Sequence, residues 1–181
     1  MKKILVLAVI TLIIFSFSAC CTDDSNDDNL AFYKTAYTGT ELKTNGYFYK
    51  IGKFGDFSSA TFFYDSGIMN DIGGSSSSLN AFEVYINEVS NNNWSINNKT
   101  GWGIFKIESN VLYYQRWYPK PYCGFFKVFT HECEIVNDST YILKKQYRIA
   151  NGQLTELTFP NVTYKFVKFQ NKPSPINPYT N

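Results

Sequence analysis

The sequence predicts an all-β chain, an eight-stranded antiparallel up-and-down barrel, with a two-sheet β-sandwich as the rival arrangement. Three observations predict it. Between Gly46 and Phe169, eight short runs rich in aromatic and β-branched residues alternate with Gly, Asn, Asp, Ser and Pro, the pattern of consecutive strands and turns. Rings are abundant, with 14 Tyr, 16 Phe and 3 Trp in 181 residues, and a closed sheet needs bulky side chains to fill its interior. Helical periodicity is hard to find after the first seventeen residues. A composition of 44% hydrophobic and 18% charged residues excludes a wholly disordered, coiled-coil or collagen-like chain.

The runs follow in order. Gly46 to Ile51 is closed by Gly52 and Gly55, and Ala60 to Tyr64 by Asp65-Ser66-Gly67. Asp71 to Ser78, with two Gly and four Ser in a row, reads as a flexible loop. The third run, Phe82 to Val89, alternates Phe82, Val84 and Ile86 against Glu83, Tyr85 and Asn87, so it reads as a strand. Trp102 to Ile107 is the fourth, and Ser109-Asn110 turns it into the fifth, Val111 to Tyr118. Pro119 and Pro121 end that strand, because proline supplies no ladder hydrogen. The sixth run, Phe125 to Val136, must bend or bulge, since strict alternation would set Glu132 and Glu134 beside Phe126 and Val128. Asn137-Asp138-Ser139 turns into the seventh, Thr140 to Ile149, and the eighth is Val162 to Phe169. The barrel domain is therefore 46–169, followed by a Pro-rich tail, 170–181.

The N-terminus carries an address. Lys2 and Lys3 precede an apolar run from Ile4 to Phe17, too short for the ~20 residues that span a bilayer. Positive start, short apolar run and small residues at the end read as a signal peptide, 1–19. It ends Phe17-Ser18-Ala19-Cys20, which resembles the bacterial lipobox and implies a lipid on Cys20, with the membrane as a partner through that anchor. Acyl chains hold firmly when several act together, at ~0.8 kcal/mol per buried methylene. Residues 20–45 are then the lipidated cysteine, an acidic tether and a connector. Asp23, Asp24, Asp27 and Asp28 stand with no base among them, a solvated stretch by composition. Their position also resembles the surface-export signal of lipoproteins in the Bacteroidota, which implies an outer-membrane, surface-exposed location. From Leu30 onward 15 bases face 11 acids; that excess is too thin for a nucleic-acid footprint.

Three cysteines remain if Cys20 carries lipid. Cys123 and Cys133 are the natural disulfide pair in an oxidising compartment. Ten residues of continuous strand would hold them ~33 Å apart, so a bridge demands a chain reversal; without it both are small buried residues.

The order of Gly46-Tyr47-Phe48-Tyr49, Trp102-Gly103-Ile104-Phe105-Lys106-Ile107, Asn137-Asp138-Ser139-Thr140-Tyr141 and Tyr164-Lys165-Phe166 before Lys172-Pro173 resembles small lipocalin-like, or calycin-like, lipoproteins of the Bacteroidota. The resemblance implies a barrel and a location, not a substrate.

No nucleophile elbow, zinc-protease motif or phosphate loop is present, so no catalytic residue, metal ligand or cofactor is assigned. His131 is the only histidine. The aromatics point to binding instead. Tyr113 and Trp117 share a face of the fifth run, Lys145 and Tyr147 share one on the seventh, and Tyr164 lies on the eighth. Facing one another across a barrel, these five would line a pocket for a small hydrophobic or amphipathic ligand, with Lys145 for an anionic head group. Arg116, opposite in parity to Trp117, is placed away from that pocket. The other reading is an interaction module: a filled barrel whose loops meet a protein or glycan.

Overall fold

The computed structural model describes residues 26–52, 54–92, 97–120, 124–150, 152–157 and 161–180. Its strands are β1 (Gly46–Ile51), β2 (Phe57–Phe63), β3 (Ile68–Ser76), β4 (Trp102–Glu108), β5 (Val111–Pro119), β6 (Phe126–Asn137), β7 (Thr140–Ala150), β8 (Gln153–Leu157) and β9 (Val162–Lys168), with a helix, α1 (Leu79–Asn91), and a 3-10 turn, Lys99–Gly101, between β3 and β4. Every pairing is antiparallel. β1 to β7 pair in sequence order, β7 pairs β9, and β9 returns to β1. That ring is a closed eight-stranded up-and-down barrel, the lipocalin-like architecture. Closure leaves no free edge around the ring.

β8 is the extra strand. The first half of β7, Thr140–Leu143, pairs β9, and its second half, Gln146–Ala150, pairs β8. The β7–β8 hairpin therefore leans out of the ring at one end. The bend expected within β6 is not there: its register with β5 is unbroken from Phe126 to Glu134, and the irregularities lie in its pairing with β7, with the extra residue Lys144 on β7 and Val136 at the end of β6. His131, Cys133 and Ile135 face inward by plain alternation, while Phe126, Val128, Glu132 and Glu134 share the outer face. Ser109 and Asn110, at φ 51° and 65°, make the β4–β5 turn, the primed geometry that matches strand twist.

Two sequence expectations change places. Phe82 to Val89 is not a strand but the middle of α1, capped by Ser78, whose hydroxyl accepts from the Ala81 N–H. Leu79, Phe82, Ile86 and Val89 recur at helical spacing, and they pack against the outside of the barrel. The expected Gly/Ser loop is instead the second half of β3, with Asp71 and Gly73 in register with Thr61 and Ser59.

Two cores result. The inner one closes over Phe48, Phe63, Phe105, Tyr141 and Tyr164 with Leu112, Tyr114 and Cys133. The outer one joins Tyr47, Phe62, Ile72, Trp102 and Trp117 to α1 and Phe169. Much of its cover is chain outside the strands. Lys172 donates to the carbonyls of Thr44 and Phe63, at 2.6 Å each, and Tyr64 donates to the Pro173 carbonyl. The Pro-rich tail is thus packed onto the barrel. Tyr179 meets Trp117 edge to face at 6.4 Å.

The connector before β1 is a strap. The Asp28 N–H donates to the Phe126 carbonyl, and the Asp27 and Asp28 carboxylates accept from the N–H groups of Phe126 and Val128. These backbone groups lie on β6 beyond Thr130, where its pairing with β7 ends. Asp28 pairs with Arg148 at 3.0 Å and with Lys127 at 3.5 Å, and Asp27 pairs with Lys99 at 2.6 Å. The strap then runs along β5 and β4, where Gln115 accepts from Ala31 and Phe32. It reaches the β2–β3 turn, where Gly67 sits at φ 82° and a Cβ would strike the Thr35 carbonyl at 2.1 Å. Leu42 closes that end from below. Two of the four tether acids are therefore fastened to the barrel. Residues 1–25, with Cys20, lie outside the described residues.

Candidate functional site

The barrel has a base and a mouth. At the base lie the turns 65–67, 109–110 and 138–139, and rings fill the interior above them. Phe63 alone meets Phe48, Phe105, Tyr114 and Tyr141 at centroid distances of 4.9–6.2 Å. At the mouth the inward side chains turn polar. There a cavity of about 220 Å³ is lined by Lys50, Ser59, Asp71, Tyr114, Arg116, Tyr118, His131, Leu143, Gln146, Val162 and Tyr164. A groove of about 300 Å³ between strap residues 35–41 and β4 is larger, but no buried ion pair lines it.

Strand alternation sets the mouth. On β5, Leu112, Tyr114, Arg116 and Tyr118 point inward in succession. Asp71 arrives opposite from β3. The Arg116 Nη1 donates to Asp71 Oδ2, and the carboxylate's other oxygen accepts from Ser59 at 2.5 Å and Thr61 at 3.0 Å. Arg116 Nε donates to the Tyr118 hydroxyl at 2.8 Å, and the guanidinium lies 4.3 Å from the Tyr118 ring centre. Burial works against the Arg116 charge and is the largest single influence, yet the Asp71 carboxylate, Tyr118 and Tyr114 together outweigh it and hold the guanidinium more firmly protonated than usual.

The chain of contacts ends on His131. The Tyr118 oxygen, already accepting from Arg116, is 2.9 Å from His131 Nε2. The imidazole stacks on Tyr114 at 4.2 Å and 8°. Nδ1 is buried with no hydrogen-bond partner. Burial, and next the Arg116 charge, push the His131 pKa well below the imidazole range; the carbonyls of Tyr114 and Phe129 pull the other way, but neither meets Nδ1 at bonding geometry.

This neutrality has a measurable consequence. As pH falls through about 6.5 the unfolded chain protonates His131 and the folded chain does not. Stability is therefore full above that pH and declines below it, by up to about 1.4 kcal/mol per pH unit until the depressed folded pKa is reached. Urea midpoints at pH 7.5 and pH 5 should show this decline in the wild type and lose it in His131→Gln. Equal slopes in the two proteins would refute the assignment.

Of the five residues expected to line a pocket, only Tyr164 reaches the mouth. Tyr113, Trp117, Lys145 and Tyr147 are on the outside of the barrel. Trp117 donates to the Asp28 carbonyl of the strap at 2.8 Å. Lys145 is paired with Glu132 at 3.4 Å, in register across β6 from Tyr113. Tyr147 is level with Thr130, which accepts from Gln115. The parity of β5 was legible, but its inside and outside were exchanged. Strap, tail and α1 bury the outer surface, so both faces of these strands are apolar. Arg116, assigned away from the pocket, is its centre. A lone Arg between Tyr114 and Tyr118 at period two was the available signal.

Cys133 is a free thiol buried in the inner core. It sits on a strand that runs unbroken from Phe126 to Asn137, so the reversal that a bridge to Cys123 demands does not fall within this span. Cys123 lies outside the described residues. No protein-family profile, curated protein or solved structure matches this chain. What fold and site define is a class: a closed up-and-down barrel with a packed base and a polar, basic-centred mouth.

Proposed function

We propose that this chain is an exported, lipid-anchored lipocalin-like protein of the outer membrane that binds a small amphipathic anion at the barrel mouth. The observation that carries the binding reading is the network at the mouth: Lys50 and the Arg116–Asp71 pair carry one net positive charge around a cavity of about 220 Å³, beside the buried His131 Nδ1, which has no hydrogen-bond partner. A carboxylate fits that chemistry. It would accept from the remaining guanidinium hydrogens and the Lys50 ammonium, and charge-assisted bonds of this type are the strong ones. The size of the cavity favours a head group of a few atoms over a wholly engulfed apolar molecule. The Cys20 motif supports the anchor, and the acidic residues after it support surface exposure. The ring-filled base favours the second reading, a barrel whose loops contact a protein or glycan.

Titration with straight-chain carboxylates from acetate to octanoate, followed by NMR, tests the binding reading. The Arg116 Nε–H and His131 ring signals should move together and saturate. Lys50→Met should weaken the best ligand about tenfold, the value of one charge-assisted hydrogen bond. If no carboxylate moves either signal at millimolar concentration, the mouth is a structural ion pair and the loop reading takes over.

A further inference from the structure

We infer that the mouth end of the barrel rests on the bilayer, through an apolar rim formed by the β1–β2 loop and the β7–β8 hairpin; this rests on the lipid-anchored reading above. The first observation is where the chain enters. Asn26 to Asp28 are fastened at Phe126 and Val128, at the mouth end of β6, and the Lys127 ammonium donates to the Asn26 carbonyl at 2.9 Å. Asn26 lies six chain steps after Cys20. Fully extended they span about 20 Å, so a lipid on Cys20 keeps this end near the membrane. β5, nine residues long, spans ~30 Å, and at the usual barrel tilt the base turns lie some 20 Å further along the strap.

The second observation is independent of the anchor. Nine large hydrophobic side chains are exposed among the described residues, and five of them, Ile51, Phe54, Ile149, Leu154 and Leu157, are at the mouth end; scattered exposure needs no explanation, but concentration on two projections at one end of the barrel does. Phe54, at the tip of the β1–β2 loop, is 92% exposed. Ile149 and Leu154 are directly opposed across the hairpin and are 64% and 60% exposed. β8 has no buried residue and pairs with nothing but β7, so folding of the barrel does not call for its apolar side chains. A short tether alone permits many orientations. The rim selects one, because an interface takes up such side chains while the neighbouring charges stay wet. The consequence is that the Arg116 mouth opens toward the membrane surface, and amphipathic anions would reach it from the lipid phase.

Hydrogen exchange of the full chain on vesicles of phosphatidylethanolamine and phosphatidylglycerol tests this. Amides of the 54–57 loop and the 152–157 hairpin should slow about tenfold or more on vesicles, while the base turns at Asn110 and Asp138 stay unchanged. The double variant Phe54→Ser with Leu154→Ser should lose that protection yet still float with the vesicles through its lipid. Protection at the base turns, at neither end, or at the rim without vesicles through self-association overturns the inference. The intact mass of membrane-extracted protein separates it from the anchor reading. If Cys20 carries no acyl groups, the anchor fails. Flotation of the unlipidated chain, compared with its double variant, then tests the rim alone: equal flotation overturns it, and weaker flotation of the variant upholds it.

Discussion

Asp71→Asn is expected to destabilise the folded chain by about 3–5 kcal/mol, the cost of leaving a buried charge without its partner. The Asn side chain keeps an oxygen for Ser59 and Thr61, so the loss isolates the charge. Arg116 and Asp71 side chains are only 20% and 10% exposed, and the second Arg116 contact, Tyr118, is neutral. For a domain of this size 1 kcal/mol moves the melting temperature by about 2–4 °C, so a fall of roughly 10 °C should be visible by calorimetry. The double variant Arg116→Met with Asp71→Leu should recover most of that loss, because paired charges replaced by apolar groups of similar volume are often tolerated. It should also abolish carboxylate binding. A single variant within 1 kcal/mol of wild type would mean that water already screens the pair.

The second large effect is expected at Phe63→Ala. Phe63 is buried at the centre of the inner core, with four ring neighbours. Truncating such a ring costs about 3–5 kcal/mol through lost transfer energy and the cavity left behind. The new space lies under the mouth and is lined by rings and aliphatic groups, so it should stay dry and admit benzene. Chemical denaturation with and without benzene checks both halves. Val84→Ala, on the exposed side of α1, is the control and should cost under about 0.5 kcal/mol. If Phe63→Ala costs no more than that control, the inner core is not the main source of stability.

These two sites also mark how far the sequence could be read. The closed all-β architecture was legible because turns punctuate strands locally: Asp65-Ser66-Gly67, Ser109-Asn110 and Asp138-Ser139 all fall where the chain reverses. The bend expected in β6 was misplaced because its outer face carries both kinds of residue, Val128 under cover and Glu134 in water, with alternation intact. Segment 79–91 was misread because Phe82, Val84 and Ile86 satisfy a two-residue period while Leu79, Phe82, Ile86 and Val89 satisfy the helical one. Only contact with the outer face of the sheet decides between them.

The sequence by itself determined that strands would dominate, where they would turn, and which residues share a face. Tertiary structure alone decided which of those faces is the interior. A strand's alternation separates two sets of side chains but does not label them, and here strap, helix and tail bury the outer set as well. For that reason Trp117 lies under the strap, Arg116 stands in the mouth, and the acidic residues 27 and 28 serve as a clamp on β6 and its neighbours.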